Sequence, residues 1–202
     1  DRFWCWSDME VQSIGRSMAG YAHRGVAVGN LWSDFLAGES LAEICTATNR
    51  LRSLRQQSGR RYQFLLTPSW GHPDAELQKL LDAAAATGSE AKWWLRLHPS
   101  LAAEREPLRR GLAAMGVNDV EVDAANDYPL PLLLREMDVN LTQDSSTVIE
   151  AAVAGVPSVV TTQNGAEIFA PYIQKGHVRL GQTPGAIAQT ALDLARQNPF
   201  LS

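Results

Sequence analysis

The sequence predicts an α/β fold: a Rossmann-like parallel sheet flanked by helices over residues 59–202, with residues 1–58 as a linker or the end of a preceding domain. Three observations carry this. From Arg61 onward, short apolar runs alternate with helical stretches of about ten residues, the rhythm of βαβ units. Runs such as Ser158 to Val160 are apolar without alternation, as strands covered on both faces require. Gly, Pro and small polar residues sit at the junctions, as in "PSWGHP", "TGS" and Gly155.

In chain order, "RFWCWS" (Arg2 to Ser7) is aromatic and apolar and reads as a strand. A helical pattern follows from Asp8 to about Ala19, then a brief strand "GVAVGN". "LAEICTATNRLRSLRQQ" sets Leu41, Ile44, Cys45, Leu51 and Leu54 roughly on one helical face. "YQFLLT" is a strand ending in the turn "PSWGHP", and "DAELQKLLDAAAA" is a helix with Asp74 and Glu76 in its first turn, where the helix dipole favours acids. "KWWLRLH" is a strand, "PSLAAEREPLRRGLAAM" a helix with Pro107 as a kink or break, Gly116 its stop, and "DVEVD" a short strand. "PLPLLLREM" is a helix begun by prolines. "DVNLTQ" is a strand, "STVIEAAVA" a helix stopped by Gly155, and "VPSVVTT" the next strand. "APYIQKG" and "HVRL" make a short helix and strand, and "TPGAIAQTALDLARQ" a last helix with Thr183 as N-cap and Pro184 at its first position.

Composition narrows the function. Charged residues at 20% and hydrophobic residues at 45% are ordinary for a soluble globular chain. A net charge of −4 leaves no whole-chain footprint for nucleic acid, and no nucleic-acid partner is expected. Cys5 and Cys45 have no close partner at metal spacing, so no metal and no cofactor is expected, and a reducing, cytoplasmic compartment is. No apolar run is long enough to cross a bilayer, and no signal-peptide pattern opens the chain. A chain beginning at Asp reads as a trimmed or excised piece. Arg105, Arg109 and Arg110 on one helix offer a peripheral contact with anionic lipid, against the plainer reading of a solvated basic face.

Ligands of an open parallel sheet sit beyond the carboxyl ends of its strands. The loop Gln143-Asp144-Ser145-Ser146 lies at such an end and opens a helix, so Ser145 and Ser146 are placed to hold a phosphate; Asp144 or either serine serves equally as a plain cap. Glu150, on an otherwise apolar stretch of that helix, is placed to accept from ribose hydroxyls, or is a solvated surface acid. "LRLHPS" sets His98 after a strand, where imidazole can donate to a phosphate oxygen and act as a proton donor, or simply cap or pack at the strand end. "TPSWGHP" adds Ser69 and Gly71 to the same rim, Gly71 permitting close backbone approach; Trp70 and His72 read as packing and cap. Asn126 and Asp127 lie at the rim too and read best as a turn. Each signal is weak alone; phosphate-compatible groups at three turns of one edge favour a ligand site.

The succession "GNLWSDFL", "LLTPSWG", "LRLHPS" and "TQDSSTVIEAAVAGVPSVV" resembles the carboxyl-terminal, nucleotide-sugar-binding half of GT-B glycosyltransferases over roughly residues 25 to 180. The likeness is nearest to bacterial capsule and lipopolysaccharide enzymes that use CMP-Kdo or CMP-sialic acid and share an HP and an SS motif. CDP-glycerol transferases and UDP-GlcNAc 2-epimerases have related signatures, although the usual epimerase block has glycines and further acids where this chain has "DSSTVIEAA". The resemblance implies that His98 contacts the donor phosphate and helps the nucleotide leave, that Ser145 and Ser146 bind the same phosphate, and that Glu150 lies near the ribose. It implies an inverting transferase whose acidic general base belongs to an N-terminal acceptor-binding domain for which the first 58 residues leave no room. A non-catalytic nucleotide- or partner-binding module is the alternative from another class.

Overall fold

A computed structural model describes residues 2–32, 42–69, 74–114, 117 and 119–197, and the chain divides into two compact units, Asp1–Leu41 and Ala42–Ser202. The first holds β1 (Phe3–Cys5), α1 (Asp8–Ser17), a 3-10 turn (Ala19–Arg24) and β2 (Gly25–Ala27). Ser7 starts α1 by accepting the Glu10 N–H at 3.4 Å, while the Glu10 carboxylate takes the Trp6 N–H, a reciprocal cap. β1 and β2 pair in parallel, Phe3 opposite Gly25. Strand alternation buries Cys5 and leaves Trp4 75% exposed.

The second unit opens with α2 (Ala42–Gln57) and continues through β3 (Tyr62–Leu66), α3 (Asp74–Thr87), β4 (Ala91–Leu95), a 3-10 turn (Pro99–Glu104), α4 (Arg105–Ala114) and β5 (Val120–Glu121). Then come α5 (Asp123–Asp127), α6 (Leu130–Leu134), β6 (Val139–Thr142), α7 (Thr147–Val153), β7 (Ser158–Val160), α8 (Gln163–Ile168), α9 (Ala170–Gln174), β8 (Val178–Leu180) and α10 (Pro184–Gln197). The strands form one parallel six-stranded sheet in the order β5-β4-β3-β6-β7-β8. Counted from β3, that is 3-2-1-4-5-6, a doubly wound sheet whose order reverses between β3 and β6.

The apolar strands are covered on both faces. Phe64, Leu66, Trp93 and Leu95 pack with Leu80 of α3 and Ile187, Ala191 and Leu194 of α10. Val148, Val160, Phe169 and Val178 form a smaller cluster among α7, β7 and β8. Gln63 breaks the apolar run of β3 without cost, because it accepts from the Trp94 indole N–H at 2.9 Å and donates to Ser58 Oγ at 3.0 Å. α2 is tied to the loop before β6 by Arg55 on Asp138 at 2.8 Å and Arg52 on Glu136 at 3.4 Å. The helix that looks like lead-in thus belongs to the second unit, Ala42–Ser202.

Local departures have local causes. The helix expected from Pro99 is broken as the sequence suggests, a 3-10 turn giving way at Arg105 to α4, and Pro107 lies in the first turn of α4, where its missing N–H is one the helix would not have used. Strand β4 stops at Leu95, three residues before His98. Two short helices, α5 and α8, stand where the sequence suggests a turn and no element. Gly155, at φ 75°, ends α7 as expected. Gly116 lies outside the described residues.

Candidate functional site at the strand-order reversal

The crevice outside β3 and β6 is where a doubly wound sheet binds ligands. Threonine ends or follows the strands that flank it: Thr67 after β3, Thr142 closing β6 and Thr161 after β7. Thr67 Oγ1 donates to Asn140 Oδ1 at 3.0 Å, and Asn140 Nδ2 donates to Ser158 Oγ at 3.2 Å. Thr67 has one proton, so in its 2.8 Å contact with Thr147 Oγ1 the donor is Thr147. A buried polar chain therefore runs from β7 through β6 and β3 to the first residue of α7.

A second set of bonds closes the crevice. Ser69 Oγ accepts the Asp144 N–H at 3.1 Å, and the Ser69 N–H donates to Gln143 Oε1 at 2.9 Å. Thr142 Oγ1 donates to the Thr67 carbonyl at 2.7 Å and accepts the Ser145 N–H at 3.2 Å. Ser145 Oγ accepts the Thr147 N–H at 3.3 Å, so Ser145 does the capping and keeps its own proton to give. Ser146 is exposed, occupies the N-cap position of α7 and makes no side-chain cap bond. Among the described residues of this loop, its hydroxyl and that of Ser145 are donors with a proton left over. Asp144 is turned aside, accepting from Asn164 Nδ2 at 2.8 Å. The Thr162 hydroxyl donates to the Gln143 carbonyl at 3.1 Å, and α8 presses so close there that a Cβ on Gly165 would lie 2.1 Å from that oxygen.

The exit of β4 contributes the other side. His98 is exposed at the start of the 3-10 turn, with Nδ1 3.2 Å from the Ser100 N–H nitrogen and 2.7 Å from Ser100 Oγ. Asn126 braces the backbone before it, accepting the Leu97 N–H at 2.9 Å and donating to the Leu95 carbonyl at 2.9 Å and the Val122 carbonyl at 2.7 Å. Arg96 donates to the carbonyls of Ala125 and Tyr128 at 2.6 and 2.8 Å, which fastens the end of α5. Burial lowers the Arg96 pKa and raises that of Glu150, while the attraction between the two opposes both shifts.

Of the sequence-derived site residues, Ser69 and Asp144 meet directly, Ser69 and Ser145 both contact Thr142 Oγ1, and Ser146 follows Ser145 in the chain. Glu150 is half-buried, and burial raises its carboxyl pKa while the charge of Arg96 opposes that shift. His98 shares the carboxyl edge; two strand spacings put the exits of β4 and β6 roughly 10 Å apart, a gap a phosphate-bearing ligand can span. Gly71, Trp70 and His72 lie outside the described residues. Asn126 and Asp127 are spent on structure, Asp127 on Arg105 at 2.7 Å. Arg105 also pairs with Asp123 at 2.7 Å and Arg109 with Glu106 at 3.4 Å, so two of the three α4 arginines suggested for lipid contact have acidic partners. Arg96 and the strand-end threonines were not singled out, although a Thr closing "FLLT", "VNLT" and "SVVT" was there to see. Among the described residues, no group of three or more His, Cys, Asp or Glu stands together as a metal ligand set, and no helix is long and apolar enough to cross a membrane.

No protein-family model and no curated protein matches the chain. Solved structures do. The wall teichoic acid polymerase TagF, in a crystal soaked with CDPG, is 15% identical and superposes with a TM-score of 0.62, covering 100% of this chain and 50% of TagF. The C-terminal CMP-Kdo-binding domain of WaaA from Acinetobacter baumannii is 18% identical at a TM-score of 0.52, over 78% of this chain and 93% of that domain. The UDP-GlcNAc 2-epimerase of Methanocaldococcus jannaschii, in complex with UDP-GlcNAc and UDP, is 13% identical at a TM-score of 0.66, over 98% of this chain and 57% of the epimerase. The chain thus spans about half the length of the two whole enzymes. Its fold is the Rossmann-like carboxyl-terminal half of the GT-B architecture.

Proposed function

We propose that this chain is the donor-binding half of an inverting glycosyltransferase in bacterial surface polysaccharide synthesis, with CMP-Kdo or CMP-sialic acid as first choice of nucleotide sugar. The donor-binding domain is residues 59–202 with α2 as its attached linker helix. The first unit is the end of an acceptor-binding domain, and the exposed Trp4 belongs to a sheet face that further chain would cover. One observation carries the reading: the bonds across the strand-order reversal leave the hydroxyl protons of Ser145 and Ser146 unspent there.

His98 from one side and the serine pair from the other hold the donor phosphate, and Glu150 takes the ribose hydroxyls. When the sugar leaves, negative charge grows on that phosphate, and fixed donors aimed at it lower the barrier. The acceptor is deprotonated by a carboxylate of the other half, so this chain alone turns over little. The chemistry belongs in the cytoplasm, where sugar nucleotides are made.

Calorimetry of the chain with CMP, CDP, UDP and GDP tests this. Preference for CMP supports it. Preference for UDP favours a UDP-GlcNAc 2-epimerase-like enzyme, the reading to which the superposition on the archaeal epimerase lends weight. Preference for CDP favours a CDP-glycerol transferase. No binding of any nucleotide at millimolar concentration speaks for a non-catalytic partner-binding module.

A further inference from the structure

Building on the proposed place of His98 at the donor phosphate, we infer that His98 works as a neutral imidazole donating a hydrogen bond from Nε2–H, and that Ser100 is the positioning residue that holds it in that form. The Ser100 amide can only donate, and its nitrogen lies 3.2 Å from Nδ1. A lone pair on Nδ1 satisfies that contact, whereas a proton there would set two donors head to head and leave only the Ser100 hydroxyl oxygen to accept it. The Ser100 hydroxyl, 2.7 Å from the same nitrogen, can turn its proton toward that lone pair as well. With Nδ1 engaged as acceptor, the ring proton sits on Nε2, at the exposed edge of the ring. Asn126 holds the chain on the other side of the turn through its bonds to Leu95, Leu97 and Val122, so imidazole and backbone are both fixed before a ligand arrives.

The tautomer decides the chemistry. A neutral ring cannot surrender its Nε2 proton without becoming an imidazolate. The bond between the anomeric carbon and the phosphate oxygen therefore breaks with its electron pair going to that oxygen, which leaves unprotonated and hydrogen-bonded to Nε2–H and the serine hydroxyls. The acceptor hydroxyl oxygen bonds to the anomeric carbon, and its proton goes to the carboxylate of the other half. His98 stabilises charge and is not a proton donor.

Glutamine and asparagine substitutions separate the possibilities, because the glutamine amide nitrogen falls near the place of Nε2 and the asparagine amide nitrogen near that of Nδ1. Affinities of CMP and cytidine for the 202-residue chain are compared by calorimetry. His98→Ala and His98→Asn should lower CMP affinity on the order of tenfold or more, the loss of a hydrogen bond to a charged group, with cytidine unaffected. His98→Gln should stay within roughly threefold of the parent for CMP, since it restores a neutral donor. Ser100→Ala should lower CMP affinity and move the His98 Nδ1 nitrogen-15 shift away from the unprotonated extreme, whereas Ser100→Thr should preserve both. A glutamine variant as weak as the alanine one overturns the neutral-donor role. Ser100→Ala keeps the amide N–H and removes only the hydroxyl at 2.7 Å, so a variant matching the parent in affinity and shift overturns the positioning role of the Ser100 hydroxyl. If CMP binds the parent no tighter than cytidine, the donor-phosphate site itself fails, a result distinct from either.

Discussion

Thr67→Val tests whether the buried polar chain holds the rim of the site. The substitution keeps the side-chain volume and deletes one hydroxyl at the junction of β3, β6 and α7. It leaves Asn140 Oδ1 without its donor inside a side chain that is 0% exposed, and leaves the Thr147 hydroxyl without its acceptor. Two hydrogen bonds at about 1 kcal/mol each, plus part of the 1–3 kcal/mol that a stranded buried acceptor costs, give a loss of about 2–4 kcal/mol. No cavity term is added. Urea unfolding followed by circular dichroism should show a lower midpoint at unchanged slope. Thr147→Val alone should cost less, because Thr147 is only half-buried, and the double variant should reveal a coupling of about 1 kcal/mol. Since Thr147 adjoins the serine pair, Thr67→Val should also weaken CMP more than cytidine. A stability loss under about 0.5 kcal/mol, within the range of an indifferent surface change, would refute the network.

Other consequences follow from the same geometry. The Thr161 hydroxyl is buried without a protein partner, so Thr161→Val should be neutral or stabilise by up to about 1 kcal/mol in urea unfolding; a clear loss would mean that a bound water or ligand satisfies it. Gly165→Ala would drive a Cβ into the Gln143 carbonyl, a backbone clash, and should cost about 1–3 kcal/mol and disturb the serine loop, seen as lower melting temperature and weaker CMP binding. Burial raises the Asp138 carboxyl above its ordinary 3.8 despite Arg55 and the Gln63 N–H. A carboxyl with a raised folded pKa contributes stability that is fully present below the unfolded value and lost as pH rises through the folded one. The parent chain should therefore gain stability relative to Asp138→Asn as pH falls through that window, measured by unfolding at a series of pH values; the opposite slope would contradict the burial effect.

Much of the fold was legible because it rests on repeating signals. The alternation from Arg61 onward, the apolar strands, the stop at Gly155 and the Thr183-Pro184 start of α10 all act through local chemistry, and Thr183 Oγ1 does accept the Ala186 N–H at 3.3 Å. What escaped is tertiary. α5 and α8 are too short to show a helical period, and α8 exists because Thr162 caps it and Gly165 lets it press on the Gln143 loop. α2 looks like lead-in because its apolar stripe is thin; its attachment comes from Arg52 and Arg55, whose partners lie some eighty residues away. At the site, residue types at strand exits pointed to the carboxyl edge of the sheet. They could not show that Asn126 and Asp127 are consumed by the framework, or that Asp144 turns toward Asn164.

The adjacent serines show why the pair is not redundant. Ser145 is half-buried and spends its oxygen lone pair on the Thr147 N–H and its backbone N–H on Thr142, so it belongs to the scaffold and has only its hydroxyl proton to give a ligand. Ser146 is exposed and makes no cap bond, so nothing in the fold depends on its side chain. Ser145→Ala should therefore cost about 1 kcal/mol of stability, the usual worth of a capping oxygen, together with CMP affinity. Ser146→Ala should leave the unfolding midpoint unchanged and lower CMP affinity alone, because a solvated hydroxyl with no partner has nothing to lose until an anion arrives. If Ser146→Ala binds CMP as well as the parent, the second serine is no part of the phosphate site, and the anion must be held by His98 and Ser145 without it.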